Sequence, residues 1–233
     1  MNTKRIEIID ALRGFSIILM VGHHILFDLV EFFGAPEWIY TNPVLDVVRY
    51  VFVSIFVLIS GISSQFSRSN IKRGIKVFGA ALGITLVTWL FDSPILFGVL
   101  HMLGFCMIFF GLTRKFWDRL PRMAALALYV SLILGSVIAV PYIKIETPYL
   151  WVLGWISEGF VSADYFPLFP WLFVFLLGTW AGLFIKEKRL PQWFYDKKVP
   201  FFPAVGRKTF LIYILHQPIL YGIILIVKYV GGV

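Results

Sequence analysis

Five ionisable side chains lie within one long apolar run near the start of the chain, Asp10-Ala-Leu-Arg13-Gly-Phe-Ser-Ile-Ile-Leu-Met-Val-Gly-His23-His24-Ile-Leu-Phe-Asp28. A helix of about 20 mainly apolar residues crosses the hydrocarbon core of a bilayer. Ionisable residues there cost roughly 2.5–3.5 kcal/mol each on insertion scales, so they mark surfaces that face protein or water. The stretch therefore predicts a transmembrane helix with one polar, functional face.

Helical geometry brings Arg13 and His24 to one face of this span. They lie 11 residues apart, which leaves an angular offset of about 20° and an axial separation of about 16 Å. Adjacent residues point about 100° apart, so only His24 of the two histidines shares the face of Arg13. Asp28 lies one turn after His24, where it would accept a hydrogen bond and fix the tautomer. This pairing predicts His24 as a general base.

The composition indicates a membrane protein made of spans and short loops. Of 233 residues, 59% are hydrophobic and 15% are charged, and the mean hydropathy is +0.85. Soluble domains are about half apolar and a quarter charged. We therefore predict an all-α, polytopic transmembrane helix bundle that forms a single domain over residues 1–233. Loop topology explains the net charge of +8 better than nucleic acid does, so no nucleic-acid partner is expected.

Seven apolar segments are long enough to cross a bilayer. They cover residues 8–33, 44–66, 73–92, 95–113, 122–141, 167–186 and 208–230. Of the 21 Lys and Arg residues, 17 fall before the first segment, in every second connection, or in the turn of a segment next to such a connection. The positive-inside rule then places the N-terminus in the cytoplasm and the C-terminus outside.

Polar residues near the predicted outer surface have two interpretations each. Asp46 and Arg49 are three residues apart at the start of the second span, which favours a structural ion pair, although an outward substrate pocket is the alternative. Asp164 leads into the sixth span, where it could cap or begin a turn, or could face an outer substrate.

Histidines mark two further spans. A lone histidine such as His101 often serves a hydrogen bond between helices. The last span carries His216 and Gln217 directly before the intramembrane Pro218, a combination that favours a site. The four histidines lie on three helices without the spacing of metal ligands, so no metal is expected.

Several segments together resemble a known family. Arg13 and His24, with ten residues between them, match the Arg-x10-His pattern of membrane-bound acyltransferases that modify sugars across a bilayer. The wider pattern is similar to bacterial proteins that resemble the catalytic domain of heparan-α-glucosaminide N-acetyltransferase. Its segments are Asp10-Ala-Leu-Arg-Gly14, Phe56-Val-Leu-Ile-Ser-Gly61, Phe97-Gly-Val-Leu-His-Met-Leu-Gly104, Asp164-Tyr-Phe-Pro-Leu-Phe-Pro-Trp171 and Gly206-Arg-Lys-Thr-Phe-Leu-Ile-Tyr-Ile-Leu-His-Gln-Pro218.

The resemblance implies transfer of an acyl group, usually acetyl from cytoplasmic acetyl-CoA, to a sugar or glycan acceptor across a bacterial or archaeal cytoplasmic membrane. It implies His24 as the general base, oriented by Asp28, and Arg13 beside the CoA path. The other residues assigned to the CoA path are His101, His216 and Gln217. Those assigned to the acceptor are Asp46, Arg49 and Asp164.

Two other functions stay open at this stage. Arg13, His24 and Asp28 could form the proton or substrate pathway of a membrane transporter. The chain could also be a non-catalytic membrane subunit that keeps the acyltransferase scaffold. Acyl-CoA, a sugar acceptor and membrane lipids are the partners expected of the enzyme, and a homo-oligomer is compatible with all three functions.

Overall fold

The computed structural model describes residues 5–145, 147 and 149–231. These residues form helices and turns without a strand, and one isolated bridge joins Phe97 to Tyr165. A short 3-10 helix covers Glu37–Ile39. The α-helices among the described residues are α1 (Glu7–Phe33), α2 (Pro43–Gln65), α3 (Asn70–Leu90), α4 (Val99–Trp117), α5 (Arg122–Tyr142), α6 (Leu168–Lys186), α7 (Gln192–Asp196), α8 (Phe202–Gly206) and α9 (Thr209–Gly231).

The prediction of an all-α chain with seven long helices is confirmed. α1 to α6 and α9 are each long and apolar enough to cross a membrane. The predicted start of α4 at residue 95 is wrong, because α4 begins at Val99. Residues 95–98 instead run beside 162–166, where the Phe166 N–H donates to the Phe97 carbonyl at 2.8 Å. The cytoplasmic N-terminus and the single domain stay predictions.

The helices fall into two compact units, here named the terminal unit (residues 1–56 and 190–233) and the central unit (residues 57–189). The boundary at residue 56 falls within α2. In the terminal unit, α1 contacts the 3-10 helix, α7, α8 and α9. The predicted polar span is therefore the helix around which the terminal unit packs.

Two glycines bring α1 and α8 into backbone contact. A Cβ atom on Gly206 would lie 1.8 Å from the carbonyl oxygen of Asp10. A Cβ atom on Gly14 would lie 2.1 Å from the carbonyl oxygen of Phe202. Both distances are far shorter than van der Waals contact, so these positions admit only glycine at this separation. The approach fixes the first turns of α1 against the segment that leads into α9.

The central unit uses a second glycine contact. A Cβ atom on Gly61 would lie 2.1 Å from the carbonyl oxygen of Phe175, and one on Gly178 would lie 2.1 Å from that of Leu58. The last turns of α2 therefore pack directly on the backbone of α6. Within the same unit, α3 packs along α4, and α5 packs along α6. Large side chains that are fully buried here include Tyr129, Phe110, Met102 and Leu176.

An ion pair joins the start of α5 to the end of α6. Arg122 Nη2 lies 2.5 and 2.6 Å from the two carboxylate oxygens of Glu187. The hydrogen bond from this guanidinium lowers the pKa of the Glu187 carboxyl below its usual value of 4.5. The pair therefore favours the ionised carboxylate in the folded protein.

We expect the substitution Glu187→Gln to reduce the loss of stability in acid. A carboxylate with a lowered pKa stabilises the fold above its unfolded pKa, and that contribution disappears as pH falls through the folded pKa. The melting temperature of the wild type should therefore fall more steeply below about pH 4.5 than that of the variant. The effect should be small and salt-sensitive, because the pair is partly exposed. Identical pH profiles for the two proteins would contradict this expectation.

Candidate functional site

α1 and α9 meet through two histidines of the terminal unit. The ring centroids of His24 and His216 are 4.9 Å apart, and the rings are tilted by 55°. His216 Nδ1 lies 2.7 Å from the carbonyl oxygen of Tyr213. A carbonyl only accepts hydrogen bonds, so Nδ1 carries a hydrogen and Nε2 of the neutral ring keeps its lone pair.

The ring of His24 differs from that of His216 in its hydrogen bonds. Neither nitrogen of His24 makes a hydrogen bond with any described residue, and neither is sealed from the surroundings. The side chain is half-buried on the face of α1 that meets α9. An imidazole held in this way can accept a proton from a substrate group that reaches it.

Asp28 is hydrogen-bonded to α9 rather than to His24. Gln217 Nε2 donates to Asp28 Oδ1 at 3.0 Å, and Asp28 is only 4% exposed. The predicted hydrogen bond between Asp28 and His24 is absent from the described contacts, and the partner that Asp28 has there is the Gln217 amide. His24 against His216 and Asp28 against Gln217 thus form two successive contacts between α1 and α9.

Three hydrogen-bond acceptors at these contacts lack a partner among the described residues. They are Asp28 Oδ2, His216 Nε2 and Gln217 Oε1, and all three are buried. Leaving a buried polar atom unsatisfied costs about 1–3 kcal/mol. The cluster is therefore polar, enclosed and short of donors.

His23 belongs to a different environment from His24. Its ring lies 4.8 Å from the ring of Tyr40 and 6.1 Å from that of Phe52, centroid to centroid. The two histidines diverge because successive residues of a helix point about 100° apart. Nothing in the sequence pattern singled out Tyr40, which reaches α1 from the turn after the 3-10 helix.

Arg13 is paired near the start of α1. Its Nη1 lies 2.9 Å from Asp10 Oδ1, and its side chain is 22% exposed. Helical rise places it about 16 Å from His24 along the axis. The ion pair explains how a guanidinium is held beside an apolar helix.

Asp46 and Arg49 form the ion pair expected from their spacing. Arg49 Nη2 lies 3.0 Å from Asp46 Oδ1 at the start of α2. The side chains are 38% exposed for Arg49 and 53% exposed for Asp46. The pair therefore lies open at the surface of the terminal unit, which is compatible with either of its two interpretations.

His101 is satisfied by hydrogen bonds inside the central unit. The Gly98 N–H donates to His101 Nδ1 at 3.2 Å, so the ring hydrogen lies on Nε2. His101 Nε2 is 3.1 Å from Thr85 Oγ1, whose hydroxyl donates to the Ile95 carbonyl at 2.5 Å. These contacts match the helix-to-helix hydrogen bond that was the alternative to a CoA-binding role. The sequence pattern did not reveal the part of Thr85.

Asp164 caps α4 in the same unit. Its Oδ2 accepts from the Val99 N–H at 3.4 Å and would lie 2.5 Å from a Cβ atom on Gly98. Beside it, the hydroxyl of Tyr165 donates to the Trp151 carbonyl, and burial raises the pKa of Tyr165 to about 12. The capping contact fits the structural interpretation of Asp164, although the helix it caps is α4 rather than α6.

We expect Thr85→Val to destabilise the central unit by about 1–3 kcal/mol. The change keeps the shape of the side chain but leaves His101 Nε2–H and the Ile95 carbonyl without their partner. Thermal unfolding in detergent measures the loss. Thr85→Ser keeps the hydroxyl and should retain most of the stability, so an equal loss in both variants would contradict this role for the hydroxyl.

No three His, Cys, Asp or Glu side chains converge in residues 5–145, 147 and 149–231. The site residues that the structure does bring together are His24, Asp28, His216 and Gln217. Arg13 lies further along the same helix, and Asp46 with Arg49 lies in the same unit. His101 and Asp164 lie in the central unit.

Comparison with known proteins gives one family match. The sequence model of the family described as "Heparan-alpha-glucosaminide N-acetyltransferase, catalytic" matches residues 5–218. The matched range includes both pairs that join α1 to α9. No curated protein and no solved structure matches the chain.

Proposed function

Because this chain belongs to the family of heparan-alpha-glucosaminide N-acetyltransferase catalytic domains, we propose that it transfers an acetyl group from cytoplasmic acetyl-CoA to an amine or hydroxyl of a sugar acceptor across the membrane. The family is one of membrane acetyltransferases, and seven helices of spanning length make the chain an integral membrane protein. The observation that carries the proposal is the family match over residues 5–218. The contacts between α1 and α9 supply the candidate chemistry.

Acetyl-CoA fits the charge distribution of the terminal unit. Arg13 lies near the first turns of α1, and further basic residues lie at this end of the unit. They include Arg5, Lys197, Lys198, Arg207 and Lys208. CoA phosphates would bind such cations through charge-assisted hydrogen bonds. The extended pantetheine arm would then carry the thioester along α1 toward His24, about 16 Å further on.

In this proposal His24 is the general base for the acceptor. Its ring nitrogens make no hydrogen bond with any residue that the structure describes, which leaves one of them to take the proton of the attacking amine or hydroxyl. Asp46 and Arg49 remain proposed acceptor contacts because they are open to the surroundings. We leave His101 and Asp164 out of the proposed site, since capping contacts account for both.

Ligand-dependent stability and turnover test this function together. In detergent, acetyl-CoA and CoA should raise the melting temperature, while ATP should not; a ligand at about 100 times its dissociation constant stabilises by about 2.7 kcal/mol. With labelled acetyl-CoA and a panel of amino and neutral sugars, acetylated sugar should form only when the protein is present. Proton-coupled flux in liposomes, with no acetylated product, would overturn the proposal in favour of a transporter.

A further inference from the structure

The three buried acceptors between α1 and α9 form a cluster that lacks donors. Asp28 Oδ2, His216 Nε2 and Gln217 Oε1 are half of the six buried side-chain N and O atoms without a partner among the described residues. Native proteins satisfy most buried polar groups, and an unpartnered group often marks a functional site. Three such atoms on two adjacent contacts therefore point to a missing partner.

The chemistry of these atoms defines what that partner must supply. An amide oxygen only accepts hydrogen bonds, and both oxygens of Asp28 do the same when its carboxyl group is ionised. His216 Nε2 also accepts, because the ring hydrogen is committed to the Tyr213 carbonyl through Nδ1. Phosphate and thioester oxygens are acceptors as well, so they cannot complete the cluster. The pantetheine arm of CoA has amide N–H donors, but these are single and separated along the arm. An amine or a pair of neighbouring hydroxyls can complete the cluster, because either one offers several donors within a small volume.

We propose that Asp28, His216 and Gln217 bind the nucleophilic group of the acceptor, and that this group is an N–H or O–H donor. The inference rests on the proposed acetyl transfer and deepens it. It moves His216 and Gln217 from the CoA path, where the sequence placed them, to the acceptor. The three atoms are sealed from solvent, so the proposal requires the His216 or Gln217 side chain to rotate before the nucleophile can enter.

Binding at this cluster places the nucleophile next to His24, whose ring centroid is 4.9 Å from that of His216. The attacking nitrogen or oxygen forms a bond to the acyl carbon, and the carbon–sulfur bond breaks. The proton of the nucleophile passes to His24, and the thiolate leaves and takes up a proton to become the CoA thiol. Asp28, His216 and Gln217 hold and orient the nucleophile during this step.

Two isosteric or near-isosteric variants test the assignment. Asp28→Asn places a donor where the cluster now has only acceptors, and His216→Gln removes the Nε2 lone pair. Tyr221→Phe is the matched control, because Tyr221 lies one turn after Gln217 and packs on Phe32 of α1 at 5.7 Å. Its hydroxyl makes no hydrogen bond with a described residue.

The measurement compares the two substrates in detergent-purified protein, with D-glucosamine and D-glucose as acceptor probes. Both test variants should raise the KM for the acceptor by about tenfold or more, which corresponds to about 1.4 kcal/mol. The KM for acetyl-CoA should stay within about twofold of the wild type. Tyr221→Phe should change neither constant. A structural disturbance of α9 would instead affect both substrates alike.

Thermal shift keeps this test independent of turnover. A sugar probe should stabilise the wild type, and Asp28→Asn should lose that stabilisation while acetyl-CoA still raises its melting temperature. A wild type that binds the sugar without turnover would defeat the proposed function but not this subsite. The assignment would be overturned if acetyl-CoA no longer raised the melting temperature of either variant. It would also be overturned if neither sugar stabilised the wild type.

Discussion

Replacing His24 by glutamine is expected to lower the rate of acetyl transfer by about 10²–10⁴-fold, the usual contribution of a positioned general base. Glutamine fills a similar volume beside His216 and can still form hydrogen bonds. It cannot take a proton from the nucleophile, because its amide is not basic near neutral pH. The measurement is steady-state formation of acetylated sugar by purified protein, with saturating acetyl-CoA.

His23→Gln is the matched control for this prediction. It removes an imidazole from the adjacent position of the same helix, but the His23 ring packs on Tyr40 and Phe52 rather than on His216. A loss confined to His24→Gln would assign the proton transfer to His24. If His24→Gln retained the wild-type rate, His24 could not be the base. A preserved rise in melting temperature with acetyl-CoA would show that the variant is folded.

The sequence predicted the parts of this structure that depend on one helix at a time. Apolar length predicts the seven long helices, since a bilayer requires about 20 such residues in each. The period of 3.6 residues separates His23 from His24, and the structure gives these two rings different neighbours. The intramembrane proline beside His216 and Gln217 directed attention to the segment of α9 that meets α1.

Contacts between distant segments could not be derived in the same way. The spacing of four residues made His24 the expected partner of Asp28, but in the structure Asp28 accepts its hydrogen bond from Gln217, 189 positions away. The predicted start of α4 failed for a related reason. A pattern of apolar residues continues through residues 95–98, yet pairing with residues 162–166 holds them out of the helix.

The polar residues of the central unit show that the type of a residue does not by itself predict its role. His101 and Asp164 have side chains that serve catalysis and capping equally well, so the sequence supported both roles. Their donors and acceptors decide between them: the Gly98 and Val99 N–H groups are held at the start of α4. At the contacts of α1 with α9, by contrast, the described residues supply too few donors for the buried acceptors. The sequence alone does not show this shortage, because it depends on which side chains meet.

Gly206→Ala is expected to be the most disruptive single-methyl substitution in the terminal unit. The new Cβ atom would lie 1.8 Å from the carbonyl oxygen of Asp10 and 3.0 Å from the Gly14 nitrogen, so backbone rather than a flexible side chain must move. Overpacking costs about 1–3 kcal/mol and occasionally more, and a clash with backbone belongs at the upper end. The melting temperature in detergent should fall accordingly.

The same substitution should also lower acetyl transfer, because α8 leads directly into α9 and its His216. Displacing reacting groups by about 1 Å can cost about 10²-fold in rate. Gly222→Ala is the matched control: it lies on α9 with nothing within 4 Å of a new Cβ atom, and alanine is the better helix former by about 1 kcal/mol. That variant should therefore be as stable as the wild type or more so. Equal stability and activity of Gly206→Ala and Gly222→Ala would show that α1 and α8 do not need their backbone contact, and the link from α8 to the position of His216 would fail with it.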